Sequence, residues 1–108
     1  MAIHITRGQA DDVLNEIVQA LGPYEADHPA AQIDLYRRNN VSVRVRIVDP
    51  DLAGLSLPQR HDLAWRYLDA LSDEAQADIS TLLLLAPAEV PESFGNMEFE
   101  NPVPSVLL

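Results

Sequence analysis

The stretch Asp49-Pro50-Asp51-Leu52-Ala53-Gly54-Leu55-Ser56-Leu57-Pro58-Gln59-Arg60-His61-Asp62-Leu63-Ala64-Trp65 decides how this chain is read. Pro50-Asp51 and Gly54 interrupt whatever precedes them, since proline donates no backbone hydrogen bond and glycine accepts unusual turns. Ser56 fits a helix N-cap, Gln59 three residues on completes a capping box, and Pro58 is tolerated in the first turn. A helix is expected from about Leu57 to Leu71, with Leu57, Ala64, Leu68 and Leu71 as its apolar stripe and Trp65 beside it. Arg60 and His61 stand together near its start.

Upstream, Val41, Val43, Val45 and Ile47 alternate with Ser42, Arg44 and Arg46, the period of a half-buried strand ending near Asp49. A partner strand is expected over Gln32–Arg38. Ile33 and Leu35 share a face with Val43 and Val45 only if an odd number of residues separates the strands. A three-residue loop with an asparagine of Asn39-Asn40 in the left-handed region meets that condition. Asp34, Tyr36, Arg38, Ser42, Arg44 and Arg46 then gather on the opposite, solvated face.

Downstream, Ser72-Asp73-Glu74 reads as the cap of a short helical turn. Ile79–Ala86 holds Leu82 to Leu85 without interruption, a strand buried on both faces or meeting a partner. The helix between the strands makes a right-handed crossover to a parallel neighbour. At the other end, Val13, Leu14, Ile17, Val18 and Leu21 predict a helix from about Gln9 to Leu21, stopped by Gly22-Pro23. Residues 24–31 are expected as a polar connector, with His4 and His28 solvated. Two regions result: an α+β domain over residues 1–86 and an acidic, proline-containing tail over 87–108. The tail is expected without regular structure, its apolar residues strapped across the domain in the first reading and docked on another protein in the second.

Composition limits function. At 108 residues the chain is one small domain, and 47% apolar content suffices for a core. No cysteine and no lysine are present, so thiolate and lysine-amine chemistry are excluded. No Gly-rich phosphate loop or nucleophile elbow occurs, so no catalytic residues are assigned and a non-enzyme is expected. No apolar run is long enough to span a membrane and no signal segment opens the chain, which reads as cytoplasmic. A net charge of −10 opposes nucleic-acid binding. Yet residues 37–60 carry five arginines against Asp49 and Asp51, a local +3 that leaves −13 elsewhere. Arg37, Arg38, Arg44, Arg46 and Arg60 are therefore the candidate partner-binding residues. Their recruiting an acidic protein or satisfying the chain's own carboxylates is the first reading, and nucleic-acid binding through the arginine-bearing hairpin is an alternative.

Gly54, Ser56, Arg60 and His61 resemble the signature Phe-x-Gly-x-Ser-x-x-x-Arg-His-x-x-Val-Tyr of the small BolA-like proteins. Leu52, Ala64 and Trp65 stand where that family has Phe, Val and Tyr. The order helix, strand, strand, helix, short helix, strand over residues 9–86 is also that of the family. It is shared with the second type of RNA-binding KH domain, whose Gly-x-x-Gly clamp is absent here. The resemblance implies an αββαβ fold with a three-stranded mixed sheet and helices packed on one face. It also implies a protein-interaction role, with a monothiol glutaredoxin as one partner and a shared [2Fe–2S] cluster bound through His61. The second family ligand, a His or Cys in a longer loop between the first two strands, has no counterpart between residues 32 and 49. Short of such a cluster, His61 is a half-exposed histidine, and no other metal site is expected.

Overall fold

The computed structural model describes residues 3–101. The elements are β1 (Ile3–Arg7), α1 (Asp12–Asp27), β2 (Gln32–Asn39), β3 (Ser42–Val48), α2 (Leu57–Leu68), α3 (Asp73–Asp78), β4 (Ile79–Leu85) and α4 (Phe94–Glu100). Short 3-10 turns occupy Pro50–Leu52 and Pro87–Glu92. The fold is α+β around a mixed sheet of order β1-β2-β3-β4, with β1 and β2 parallel, β2 and β3 antiparallel, and β3 and β4 parallel. No helix among the described residues is long and apolar enough to cross a membrane.

The helix–strand–strand–helix–helix–strand order expected over residues 9–86 is present, and β4 pairs beside β3 as the crossover requires. The sheet, however, has four strands rather than three. Ile3–Arg7 adds an edge strand that pairs Ile3 with Ile33 and Ile5 with Leu35. Two isoleucines in five residues are too short a pattern to announce a strand; the exposed edge of β2 recruits them.

The two strands keep the expected parity, but through a different device. Ile33 faces Ile47 and Leu35 faces Val45, so both strands bury the same face. The turn is Asn40-Val41, and the odd residue is taken up by a register shift between Arg37 and Asn39. No non-glycine residue among those described has positive φ. A bulge twists the strand without the steric cost of a left-handed asparagine.

Helix α1 does not stop at Gly22-Pro23. Asp11 caps its start, accepting the Leu14 N–H at 2.9 Å, and the helix carries Pro23 inside it to Asp27. Gly22 has no Cβ to crowd the proline ring, which eases the helical conformation before Pro23. The extension places Tyr24 in the core, only 1% exposed, and that burial offsets the hydrogen bond proline cannot make. The residues expected as a polar connector therefore include a core anchor.

Ser56 and Gln59 form the capping box, and Ser72 caps α3. Along α2, Ala64 and Leu68 are buried and Leu71 follows them into the core, but Leu57 lies exposed. The main core joins α1, α2 and α3 to Ile33, Leu35, Val43, Val45, Ile47 and Leu84 of the sheet.

Helices do not stay on one face. The tail expected to lack regular structure forms the 3-10 turn and α4, capped by Ser93, whose Oγ accepts the Asn96 N–H at 3.0 Å. It crosses the second face of the sheet, where Phe99 packs on Tyr36 with ring centroids 4.9 Å apart. Gly95 meets Leu83 of β4 so closely that a Cβ would sit 2.9 Å from Leu83 Cδ1. The strap expected of this tail is real as far as Asn101; Val106, Leu107 and Leu108 lie outside the described residues.

Candidate interaction surface

Strand alternation sends Tyr36 and Arg38 of β2, with Arg44 and Arg46 of β3, to the face away from α1 and α2. An arginine row on an open sheet face would ordinarily be solvated. Here Arg44 is 9% exposed and Tyr36 2%, because α4 covers them.

The contacts are specific. Arg44 donates from Nη2 to Glu98 Oε1 at 2.9 Å, and from Nη1 to the Tyr36 hydroxyl at 3.1 Å and the Glu98 carbonyl at 3.3 Å. Arg46 donates from Nη2 to Asp34 at 2.7 Å and from Nη1 to Asn96 Oδ1 at 2.8 Å and to the Glu100 carboxylate. Its guanidinium carbon lies 4.6 Å from the centre of the Phe99 ring, a cation–π distance. The Tyr36 hydroxyl donates to the Phe99 carbonyl at 2.9 Å. Arg38 stands 3.8 Å from Glu98. At the edge, Arg7 of β1 lies over the Tyr36 ring and donates to the Glu100 carbonyl at 2.7 Å. One defect stands out: Arg46 Nε is buried with no acceptor among the described residues.

Three of the five arginines singled out from the sequence, Arg38, Arg44 and Arg46, thus share one surface. Arg37 lies on the helix side of the sheet, where its guanidinium bridges Asp11 at 2.6 Å and Asp78 at 3.2 Å. That contact holds the Asp11 carboxyl below its ordinary range, helped by the Leu14 N–H. Arg60 is 8% exposed. It donates to the Leu84 and Leu55 carbonyls and grips Glu89, clamping the segment after β4 to α2. His61 is half-buried on α2 and belongs to no group of three His, Asp or Glu ligands among the described residues.

Tyr36 belongs to the face expected from the sequence; Arg7, Asn96, Glu98, Phe99 and Glu100, which complete the surface, do not. A signal was there: a tail with four glutamates, no base and isolated aromatics complements a row of arginines.

No protein-family model matches this chain, and neither a curated protein nor a solved structure matches it.

Proposed function

We propose that this chain is a small non-enzymatic protein-interaction module of BolA-like fold, with the sheet face of Arg38, Arg44 and Arg46 as its recognition surface and α4 as a displaceable resident. The observation that carries the reading is α4 itself. It is a one-to-two-turn helix whose Glu98-Phe99-Glu100 presents two carboxylates and an aromatic ring to arginines and Tyr36. A partner with the same chemistry, an acidic helical segment carrying an aromatic anchor, would find its contacts already arranged.

The resident is held by one apolar anchor, the ion pairs of Glu98 and Glu100, and hydrogen bonds from Arg7, Tyr36, Arg44 and Arg46. Phe99 is its main apolar anchor, worth about 1.5–3 kcal/mol of burial. The half-exposed Glu98 and Glu100 pairs contribute about 0–1 kcal/mol each. Phe94 and Met97 remain outside, 85% and 58% exposed. The buried Arg46 Nε without an acceptor is a contact that a better-fitting carboxylate would supply.

The test is binding of a fluorescein-labelled peptide of residues 93–101 to the full-length Phe99→Ala variant, read by anisotropy. Binding at least tenfold tighter than to the wild-type chain, abolished by adding Arg44→Ala, supports the reading. A folded Phe99→Ala chain that ignores the peptide removes it.

The resemblance supports a second reading, an iron–sulfur adapter acting with a monothiol glutaredoxin. What favours it is that the half-buried His61 imidazole makes no hydrogen bond or ion pair among the described residues. His61 is a single ligand with no cysteine in the chain, so the residues present do not complete a cluster site and a partner would have to supply the others. Visible circular dichroism of a cluster-loaded monothiol glutaredoxin, titrated with wild type and His61→Ala, decides it: a spectral change lost in the variant is required.

A further inference from the structure

The C-terminal end of α1 meets the turn after β3. His28, expected to be solvated, is instead held there, its side chain only 16% exposed. Its backbone N–H caps α1 on the Tyr24 carbonyl at 2.8 Å, and its ring stacks on Tyr24 with centroids 4.3 Å apart. Its Nδ1 faces two carboxylates, Asp51 Oδ2 at 2.7 Å and Asp49 Oδ2 at 3.4 Å. One ligand atom from each of the three residues lies within 4.8 Å of the others.

The charge does not balance. Asp49 is fully buried, and a buried carboxylate is ordinarily paired with a cation or bound to a metal. Its firm partners are neutral: the Tyr24 hydroxyl at 2.6 Å and the Asp51 backbone N–H at 2.9 Å. Among the described residues, the ion pairs of Asp49 and Asp51 are with His28 alone. A proton on Nδ1 would go to Asp51, at hydrogen-bond distance, and not to Asp49, which lies 3.4 Å away. Even with a protonated imidazole the trio keeps an excess negative charge.

We infer that His28, Asp49 and Asp51 form a site for a single divalent ion of the zinc class, held by His28 Nδ1 and one oxygen from each aspartate, with water completing the shell. The donor set suits that class, because imidazole selects against magnesium and calcium. The spacing suits it too. Ligands on a tetrahedral ion with bonds near 2.0–2.1 Å lie about 3.3–3.4 Å apart, the separation between His28 Nδ1 and Asp49 Oδ2. Asp51, at 2.7 Å from Nδ1, has to retreat by about 0.6–0.7 Å to reach that spacing, and its side chain is 61% exposed. The support around the ligands is already built: Tyr24 orients Asp49 by its hydroxyl and His28 by its ring. A bound ion would staple the end of α1 to the turn that leads into α2.

The test uses the full-length chain stripped with EDTA, with ZnCl2 as probe. Equilibrium dialysis should find one Zn2+ per chain, the melting temperature should rise by several degrees in excess Zn2+, and Co2+ should give the visible bands of a four-coordinate site. Asp51→Asn, on a side chain that is 61% exposed, should weaken Zn2+ binding at least tenfold and lose the thermal shift. His28→Gln should do the same, and His4→Ala should not. Absence of binding overturns the proposal. So does binding that survives Asp51→Asn unchanged, which would assign the ion to the acidic surface at large. If His28→Gln fails to fold, Asp51→Asn decides alone.

Discussion

Arg60 grips the Glu89 carboxylate with both terminal nitrogens, at 2.6 and 2.9 Å, across 29 residues of chain. The same carboxylate accepts the Ala86 N–H at 3.0 Å. These contacts tie the exit of β4 to the first turns of α2 and so set the direction in which the C-terminal segment leaves for the far face.

The pair makes stability depend on acid. The Arg60 guanidinium, then the Ala86 N–H, hold the Glu89 carboxyl down to about 2, from an ordinary 4.5. A depressed folded pKa adds stability that is fully present above the ordinary value and is lost as the pH falls from about 4.5 towards 2. Glu89 is 44% exposed, so solvent screening keeps the contribution to about 1 kcal/mol or less. Urea midpoints of wild type and Glu89→Gln should differ at pH 6 and converge near pH 2; parallel curves would contradict the assignment.

Removing the Tyr24 hydroxyl should cost more. Tyr24→Phe keeps the ring stacked on His28 but strips the fully buried Asp49 of its closest donor. An under-satisfied buried carboxylate predicts a loss of about 1–3 kcal/mol, read from denaturation midpoints at neutral pH. A change under about 0.5 kcal/mol would show that another donor takes over.

Phe99→Ala should loosen α4 without unfolding the body. Phe99 is buried against Tyr36 and Arg46, yet lies outside the main core cluster. A loss of about 2–3 kcal/mol is expected, at the low end for a buried aromatic. Amide exchange over residues 94–100 should accelerate at least tenfold while Val43, Val45 and Ile47 keep their protection. Uniform acceleration would mean that α4 unfolds only with the whole domain.

Gly54 has φ of +82° with open space around the position of a Cβ. Gly54→Ala therefore meets no clash and should lose about 1 kcal/mol from backbone strain alone. Thermal melts check this, and an unchanged midpoint would mean that the turn relaxes.

Nucleic acid should not be retained. Arg44 and Arg46 are covered by Glu98 and Glu100, on a chain of net charge −10. Gel shifts with single- and double-stranded RNA and DNA at 0.15 M salt should show no complex; one whose stability falls steeply with salt would favour the hairpin as a nucleic-acid surface.

What the sequence determined by itself is what depends on near neighbours. The Ser56–Gln59 box, the Ser72 cap, the alternation of Val43, Val45 and Ile47 and the parity of the hairpin follow from contacts a few residues apart. They were enough for the αββαβ order. Tertiary structure decided the rest, because it turns on partners far along the chain. Tyr24 carries α1 past Pro23 because Asp49 waits 25 residues away. Ile3 and Ile5 become a strand because β2 has an open edge. The arginines were visible as a charged row, but Glu98 lies 54 residues from Arg44, and only the folded chain could put its own acidic helix on that face. His28 looked solvated for the same reason: the two aspartates that surround it enter through the turn after β3.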